Sequence, residues 1–224
     1  LLMTGSVPSG LSSEARTQQP PGIDIRRAFS VPQVYPWTLT DERGRSDPAR
    51  IHQLLALTLA SADLDEDGNP DLVAGFSTEG GGLVTVNNGT PNTTSPGSYQ
   101  AGHGEPGGIA AAVPFLSESV GHPVPVSPDF LAAGDFDGDG HADVVVAERS
   151  GAALSLLVGD GTGGFSRLAE TTISGAITAM AAGDVNRRDG ASDLLVALGG
   201  ASPPRLLVFE SPDGAFGGEP AQIE

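Results

Sequence analysis

The chain has 224 residues, with 11 basic against 28 acidic side chains and a formal net charge of −17. That balance argues against nucleic acid, whose phosphates need a lysine and arginine footprint, and against anionic membrane surfaces. Cysteine is absent, so disulfides, thiolate metal sites and cysteine nucleophiles are excluded, and no apolar run approaches the ~18 residues a spanning helix needs.

Gly (32) and Pro (18) are abundant, which suits many short strands and tight turns rather than long helices. The chain opens Leu1-Leu2-Met3 with no basic region, so no intact signal peptide is expected and the sequence reads as an excerpt from a longer protein. Residues 1–22 are rich in Ser, Gly, Pro and Gln without an apolar period and read as a flexible tail or linker. Residues 23–224 form the structured part. Its first stretch, Ala28 to Leu39, contains Tyr35 and Trp37, and its prolines confine any strand there to an edge. Asp41 to Asp47 is a polar turn region. Ile51 to Ala60 is apolar at nearly every position; periodicity alone leaves strand and short helix open, and its place before an acidic loop favours a strand.

That loop carries Asp63, Asp65, Asp67, Asn69 and Asp71 at period two, with Gly68 at the bend, and runs into Leu72-Val73-Ala74. The pattern returns as Asp135, Asp137, Asp139, His141 and Asp143 ahead of Val144-Val145-Val146-Ala147. A looser third copy, Asp184, Asn186, Asp189 and Asp193, precedes Leu194-Leu195-Val196-Ala197. Three blade-like units follow, at about 54–128, 129–176 and 177–224, each a set of short strands divided by turn chemistry. The copies recur on the ~40 to 50 residue scale of propeller units. The first unit is longer because of an insertion at about 87–128, loaded with Gly, Pro, Ser, Thr and Asn, which is expected to be a long surface loop.

The acidic loops point to Ca²⁺. That ion takes about 6 to 8 oxygen ligands from flexible loops, and carboxylates at positions one, three, five and nine, with the carbonyl of residue seven (Asn69 or His141), converge on one centre if the backbone curls around it. No nitrogen or sulfur ligand is supplied, which disfavours zinc and copper. Close carboxylate pairs repel by about 1 kcal/mol each even in a water-like dielectric, so a cation would staple the loop. An EF-hand needs a bidentate Glu at position twelve between helices, whereas position twelve here is Ala74 or Val146, in strand-like runs.

Gly134-Asp135-Phe136-Asp137-Gly138-Asp139-Gly140-x-x-Asp143-Val-Val-Val, followed by Gly159-Asp160-Gly161-Thr162-Gly163-Gly164-Phe165, resembles an FG-GAP/VCBS repeat of integrin-α-like β-propellers. The resemblance covers roughly residues 54 to 218 in three copies. It implies an all-β fold of four-stranded antiparallel blades with Ca²⁺ held between the first two strands of a blade. Rings of this family usually have about seven blades, so further blades from the parent chain are implied. The third copy departs from the pattern, with one extra residue and with Arg187 and Arg188 inside the loop, where an arginine could replace the metal.

Gly159-Asp160-Gly161-Thr162-Gly163-Gly164 matches a dinucleotide fingerprint, but the residues after it read as strand, not helix. Of the four histidines, His103 and His122 lie in the insertion, where with Glu105 and Glu118 they could line a pocket. Asn88-Gly89-Thr90 and Asn92-Thr93-Thr94 satisfy the glycosylation acceptor rule, a pattern that arises often by chance in such loops. The expected function is a non-catalytic, calcium-binding propeller segment of an extracellular, periplasmic or cell-surface protein, serving adhesion or protein or carbohydrate binding. A polysaccharide lyase or hydrolase with a site on the inserted loops, and a structural spacer, are the alternatives.

Overall fold

The computed structural model describes residues 38–41, 54–90, 115–116, 118–185, 190–200, 204–210, 215–216 and 218–223. Every described residue belongs to one compact unit, Pro36–Glu224. The expected tail, Tyr35, Trp37, His103 and Glu105 lie outside the described residues. So do Asn186, Arg187, Arg188 and Asp189 of the third loop.

Short strands separated by Gly-rich turns build three sheets. The first holds β1 (Thr38–Asp41), β2 (Leu55–Ala62), β3 (Asp71–Thr78), β4 (Gly81–Asn87) and β5 (Glu118–Val124), in the spatial order β1-β5-β4-β3-β2. The second runs in simple meander order through β6 (Phe130–Gly134), β7 (Asp143–Ala147), β8 (Ala153–Gly159) and β9 (Phe165–Thr172). The third repeats that order with β10 (Ala176–Gly183), β11 (Asp193–Gly199), β12 (Arg205–Phe209) and β13 (Ala221–Ile223). From β2 onward consecutive strands pair antiparallel within each sheet, while β1 pairs parallel with β5. β6 lies against β2 on one side and β10 on the other, so the first strands of successive sheets follow one another. Four-stranded antiparallel meanders stacked through their first strands are β-propeller blades.

The hydrophobic runs are explained by this stacking. All five residues of β7 are buried, because the second sheet is covered on both faces. Val144, Val146 and Leu157 pack with Val73, Val84 and Val86 of the first sheet. Val145, Ala147, Leu154 and Leu156 pack with Leu194, Val196 and Leu207 of the third. A strand covered on both sides needs apolar residues at every position, and alternation is lost.

One expectation is corrected. The insertion at 87–128 is not loop throughout, since Glu118–Val124 is β5, the fourth blade strand. Its Gly121 and Pro123 read as loop residues, yet each has a place. A Cβ on Gly121 would come within 3.0 Å of Leu39 Cδ1, so glycine makes room for β1. The parallel ladder from β1 ends at Gly121, short of Pro123, so on that side the proline interrupts no ladder, while on the other it lies opposite Leu83 of β4. β1 itself is an outermost strand, as the prolines around it require.

Candidate metal centres

Each acidic loop is the connection between the first and second strands of a blade. The first joins β2 to β3, the second β6 to β7 and the third β10 to β11. The last aspartate, ninth in the first two loops and tenth in the longer third, is the hub of each. Asp71 is 0% exposed; its Oδ2 accepts from Leu64 N at 2.8 Å and its Oδ1 from Gly89 N at 2.7 Å. Asp143, also 0% exposed, accepts from Phe136 N and Asp137 N through Oδ2, at 2.8 and 3.2 Å, and from Gly159 N through Oδ1 at 2.8 Å. Asp193 repeats the first half of this scheme, accepting from Val185 N at 2.9 Å. One carboxylate therefore fixes the loop entrance and ties it to the end of the third strand.

Around each hub the other acids curl inward on backbone donors. Asp63 Oδ2 accepts from Gly68 N at 3.0 Å, and Asp135 accepts from Gly138 N and Gly140 N at 2.7 and 3.0 Å. Gly138 and Gly140 have φ of +76° and +94°, a left-handed backbone natural only to glycine. The first loop places Glu66 at φ +58° where the second has Gly138, an uncommon conformation for a residue with a Cβ.

The result is two carboxylate triads. Ligand atoms of Asp63, Asp65 and Asp71 lie within 4.8 Å of one another, and those of Asp135, Asp137 and Asp143 do the same. Either group could hold a metal ion. Asp63 Oδ1 is buried with no hydrogen-bond partner among the described residues, an arrangement that costs about 1–3 kcal/mol unless a donor or cation meets it. The donor set is all oxygen, which suits a hard cation.

Charge crowding marks both groups. Burial pushes the Asp143 carboxyl up to about 6, against the pull of the Gly159 and Phe136 amides and with a further push from Asp137 and Asp139. Burial also raises Asp65, helped by the charge of Asp71, and raises Asp137, helped by the charge of Asp139. Burial and the neighbouring carboxylates thus favour the protonated form of these groups, and a bound cation would favour the ionised one.

Not every expected ligand joins its triad. Asp67 Oδ1 accepts from the backbone N and the side-chain Nδ2 of Asn69, at 2.8 and 2.9 Å. Asp139 Oδ1 accepts from His141 N at 2.9 Å. Both make local turns of the loop. The His141 ring reaches across to the first loop, where its Nδ1 meets Glu66 Oε1, and that hydrogen bond raises the imidazole pKa. In the third loop Asp184 is exposed and Asp193 is 6% exposed.

Four partners were not marked as site residues in the sequence. Asn88 Nδ2 donates to Asp65 Oδ2 at 2.7 Å, so the asparagine of one glycosylation pattern is engaged in the first centre. Arg167 NH2 lies 3.7 Å from Asp137 Oδ2. Gly89 and Gly159 supply the amides that reach the hub, and a Cβ there would meet Pro70 O at 2.6 Å or Ala142 O at 2.2 Å. A glycine at or just past the end of the third strand, in the first two blades, was the available signal. Glu118 and His122 lie on β5, Glu118 exposed and His122 buried with its ring edge-on to Phe165 at 4.8 Å.

Residues 135–196 match the family model of an FG-GAP-like repeat. The chain carries an FG-GAP-like repeat. The match runs from the first aspartate of the second loop into β11 of the third blade, and so takes in the second centre whole. No curated protein matches the chain. Among solved structures it is similar to one titled "Crystal structure of BBS1N in complex with ARL6DN, soaked with lead", at 15% identity and a TM-score of 0.31, over 70% of this chain and 52% of the other. The chain thus spans about half the length of that protein.

Proposed function

We propose that this FG-GAP-like segment is a Ca²⁺-stapled set of propeller blades in an extracellular, periplasmic or cell-surface protein. On this reading it serves non-catalytic binding of a protein or carbohydrate. The observation that carries the metal part is the pair of buried carboxylate triads, one of them with an unpartnered buried oxygen at Asp63. Asp63, Asp65 and Asp71 would hold one ion, and Asp135, Asp137 and Asp143 the other. When bound, Ca²⁺ supplies positive charge and oxygen coordination to a loop that otherwise repels itself.

The protein's own residues do the rest. Asp71 and Asp143 keep each loop joined to its blade through backbone amides, so ordering of the loop is passed to the sheet. The two centres are also coupled, because Gly163 N of the second blade donates to Leu64 O of the first loop at 2.9 Å and His141 reaches Glu66. A rigid blade junction offers a fixed surface for a partner. The family resemblance supports the binding role, and the extracellular reading is supported by the weak calcium affinity common among extracellular calcium-binding modules.

Calorimetric titration of chelator-treated protein with Ca²⁺ tests the metal reading. At least two sites are expected, and Asp137→Ala should remove one while leaving the other. An absence of heat together with an unchanged melting temperature would defeat it.

A further inference from the structure

The glycine-rich turn from Gly159 to Gly164, between β8 and β9, reaches both acidic centres. At its start, Gly159 N donates to the Asp143 hub of the second centre at 2.8 Å. Near its end, Gly163 N donates at 2.9 Å to the carbonyl of Leu64 in the first loop. Leu64 is the second residue of that loop, a plug that is 1% exposed between the first two sheets; Phe136 and Val185 take second place in the other loops. Between those ends the turn is tied to itself. Asp160 Oδ1 accepts from Thr162 N, Thr162 Oγ1 and Gly164 N at 2.8, 2.7 and 3.2 Å.

The turn fits closely between the two loops. A Cβ on Gly161 would lie 2.6 Å from His141 Nδ1 and 3.1 Å from Glu66 Oε1, and one on Gly163 would lie 3.5 Å from Asn88 and Asp65. A second link runs beside it, where the His141 ring meets Glu66 through Nδ1. An N–H at that nitrogen donates to the carboxylate whether the ring is neutral or charged. Glu66 follows Asp65, an acid of the first triad, and His141 lies two residues before Asp143, an acid of the second. Both links therefore join backbone next to one triad to backbone next to the other.

Resting on the calcium reading above, we infer that the two centres take up Ca²⁺ with positive cooperativity, carried by the Gly159–Gly164 turn and the Glu66–His141 pair. With the second centre loaded, Asp143 and the His141 segment are fixed. The turn and the ring then hold the first loop in its curled form, and less ordering remains to oppose the next ion. Loading one loop also removes negative charge that attracts a cation to its neighbour. That opposing effect is long-range and screened by salt, whereas the two links are direct contacts, so at physiological ionic strength the ordering wins. By linkage the coupling is equal in both directions.

Calorimetric Ca²⁺ titration at fixed pH and physiological ionic strength tests this. Asp137→Ala should leave only the first site and Asp65→Ala only the second. The product of the two wild-type association constants should exceed the product of those two single constants by at least about fivefold, the low end of allosteric coupling. Asp160→Ala loosens the turn. Glu66→Gly and His141→Asn cut the pair, each taking the residue that the sister loop carries at that position, Gly138 and Asn69. With the site variants remade in each of these backgrounds, two sites should remain and the excess should shrink. With Asp160→Ala and His141→Asn combined it should vanish. A wild-type excess near one, or an excess undiminished in the combined variant, would overturn the proposal. Two independent wild-type sites would fail this inference and leave the calcium reading standing, whereas no Ca²⁺ heat at all would fail both. Circular dichroism of each variant in Ca²⁺ should report an unchanged β fold, and the wild-type comparison stands without the turn and pair variants.

Discussion

Truncating the plug residues one at a time separates the loop's own chemistry from its packing. Leu64→Ala removes a side chain that is 1% exposed and touches Val73, Val84 and Val86 on one side and Val144, Val146 and Leu157 on the other. A buried leucine lost from such a site costs about 2–5 kcal/mol, the transfer of its methyl groups plus the cavity they leave. Phe136→Ala removes a 0% exposed ring from the core of the second and third sheets, for about 3–5 kcal/mol. Val185→Ala changes a residue that is 52% exposed and should stay within about 0.5 kcal/mol. In all three the backbone amide of the second loop residue donates to the last aspartate of its loop, so burial of the side chain is what the comparison tests. Urea denaturation at low protein concentration, with Ca²⁺ present, measures all three. The midpoints for the Leu64 and Phe136 variants should fall while the slopes hold. Since a domain has only about 5–15 kcal/mol in total, either change is a large fraction of the stability. A Val185 variant as destabilised as the other two, or a Leu64 variant indistinguishable from wild type, would refute the assignment of these residues as blade-junction plugs.

Other outcomes follow from the centres themselves. The folded Asp143 carboxyl stands at about 6, above the ~3.9 of an unfolded aspartate. The native state therefore binds the extra proton between those values, and without metal its stability falls as pH rises through that window. The full shift corresponds to about 3 kcal/mol, brought down to about 1–2 by solvent screening. In chelator, the stability of wild type relative to Asp143→Asn should drop by that amount between about pH 4.5 and pH 7.5; in excess Ca²⁺ the sign should invert, because metal binding needs the ionised carboxylate. A relative stability that rises with pH in chelator would contradict the charge-crowded site. Gly159→Ala should cost about 2 kcal/mol or more by melting, since its Cβ would meet Ala142 O at 2.2 Å and disturb the amide that reaches Asp143. Asn88→Ala should weaken Ca²⁺ binding in the first loop only, because it removes the donor that orients Asp65. Calorimetry would count the two sites separately.

Much of this was legible because it is local. The acidic period, the glycines that turn it and the apolar run behind it lie within a dozen residues, and period-two side-chain placement on a strand is dictated by backbone geometry. What stayed hidden depends on residues distant in sequence. β5 was masked by Gly121 and Pro123, whose fit depends on Leu39 and on where a four-residue strand stops. Asn88 reads as a glycosylation pattern until the end of β4 brings it against Asp65. Asp67 and Asp139 carry the same charge as their neighbours, and only the turn of the backbone sends them to Asn69 and His141 instead of the triads.

The sequence by itself determined that this chain builds repeated β units around acidic loops, because both signals are short-range and the composition leaves few rivals. Tertiary structure decided which loop residues share a centre, which plug is buried and which is left at the surface. Leu64, Phe136 and Val185 hold the second place in their loops, and the first two are buried because a neighbouring sheet covers them, while Val185 is 52% exposed.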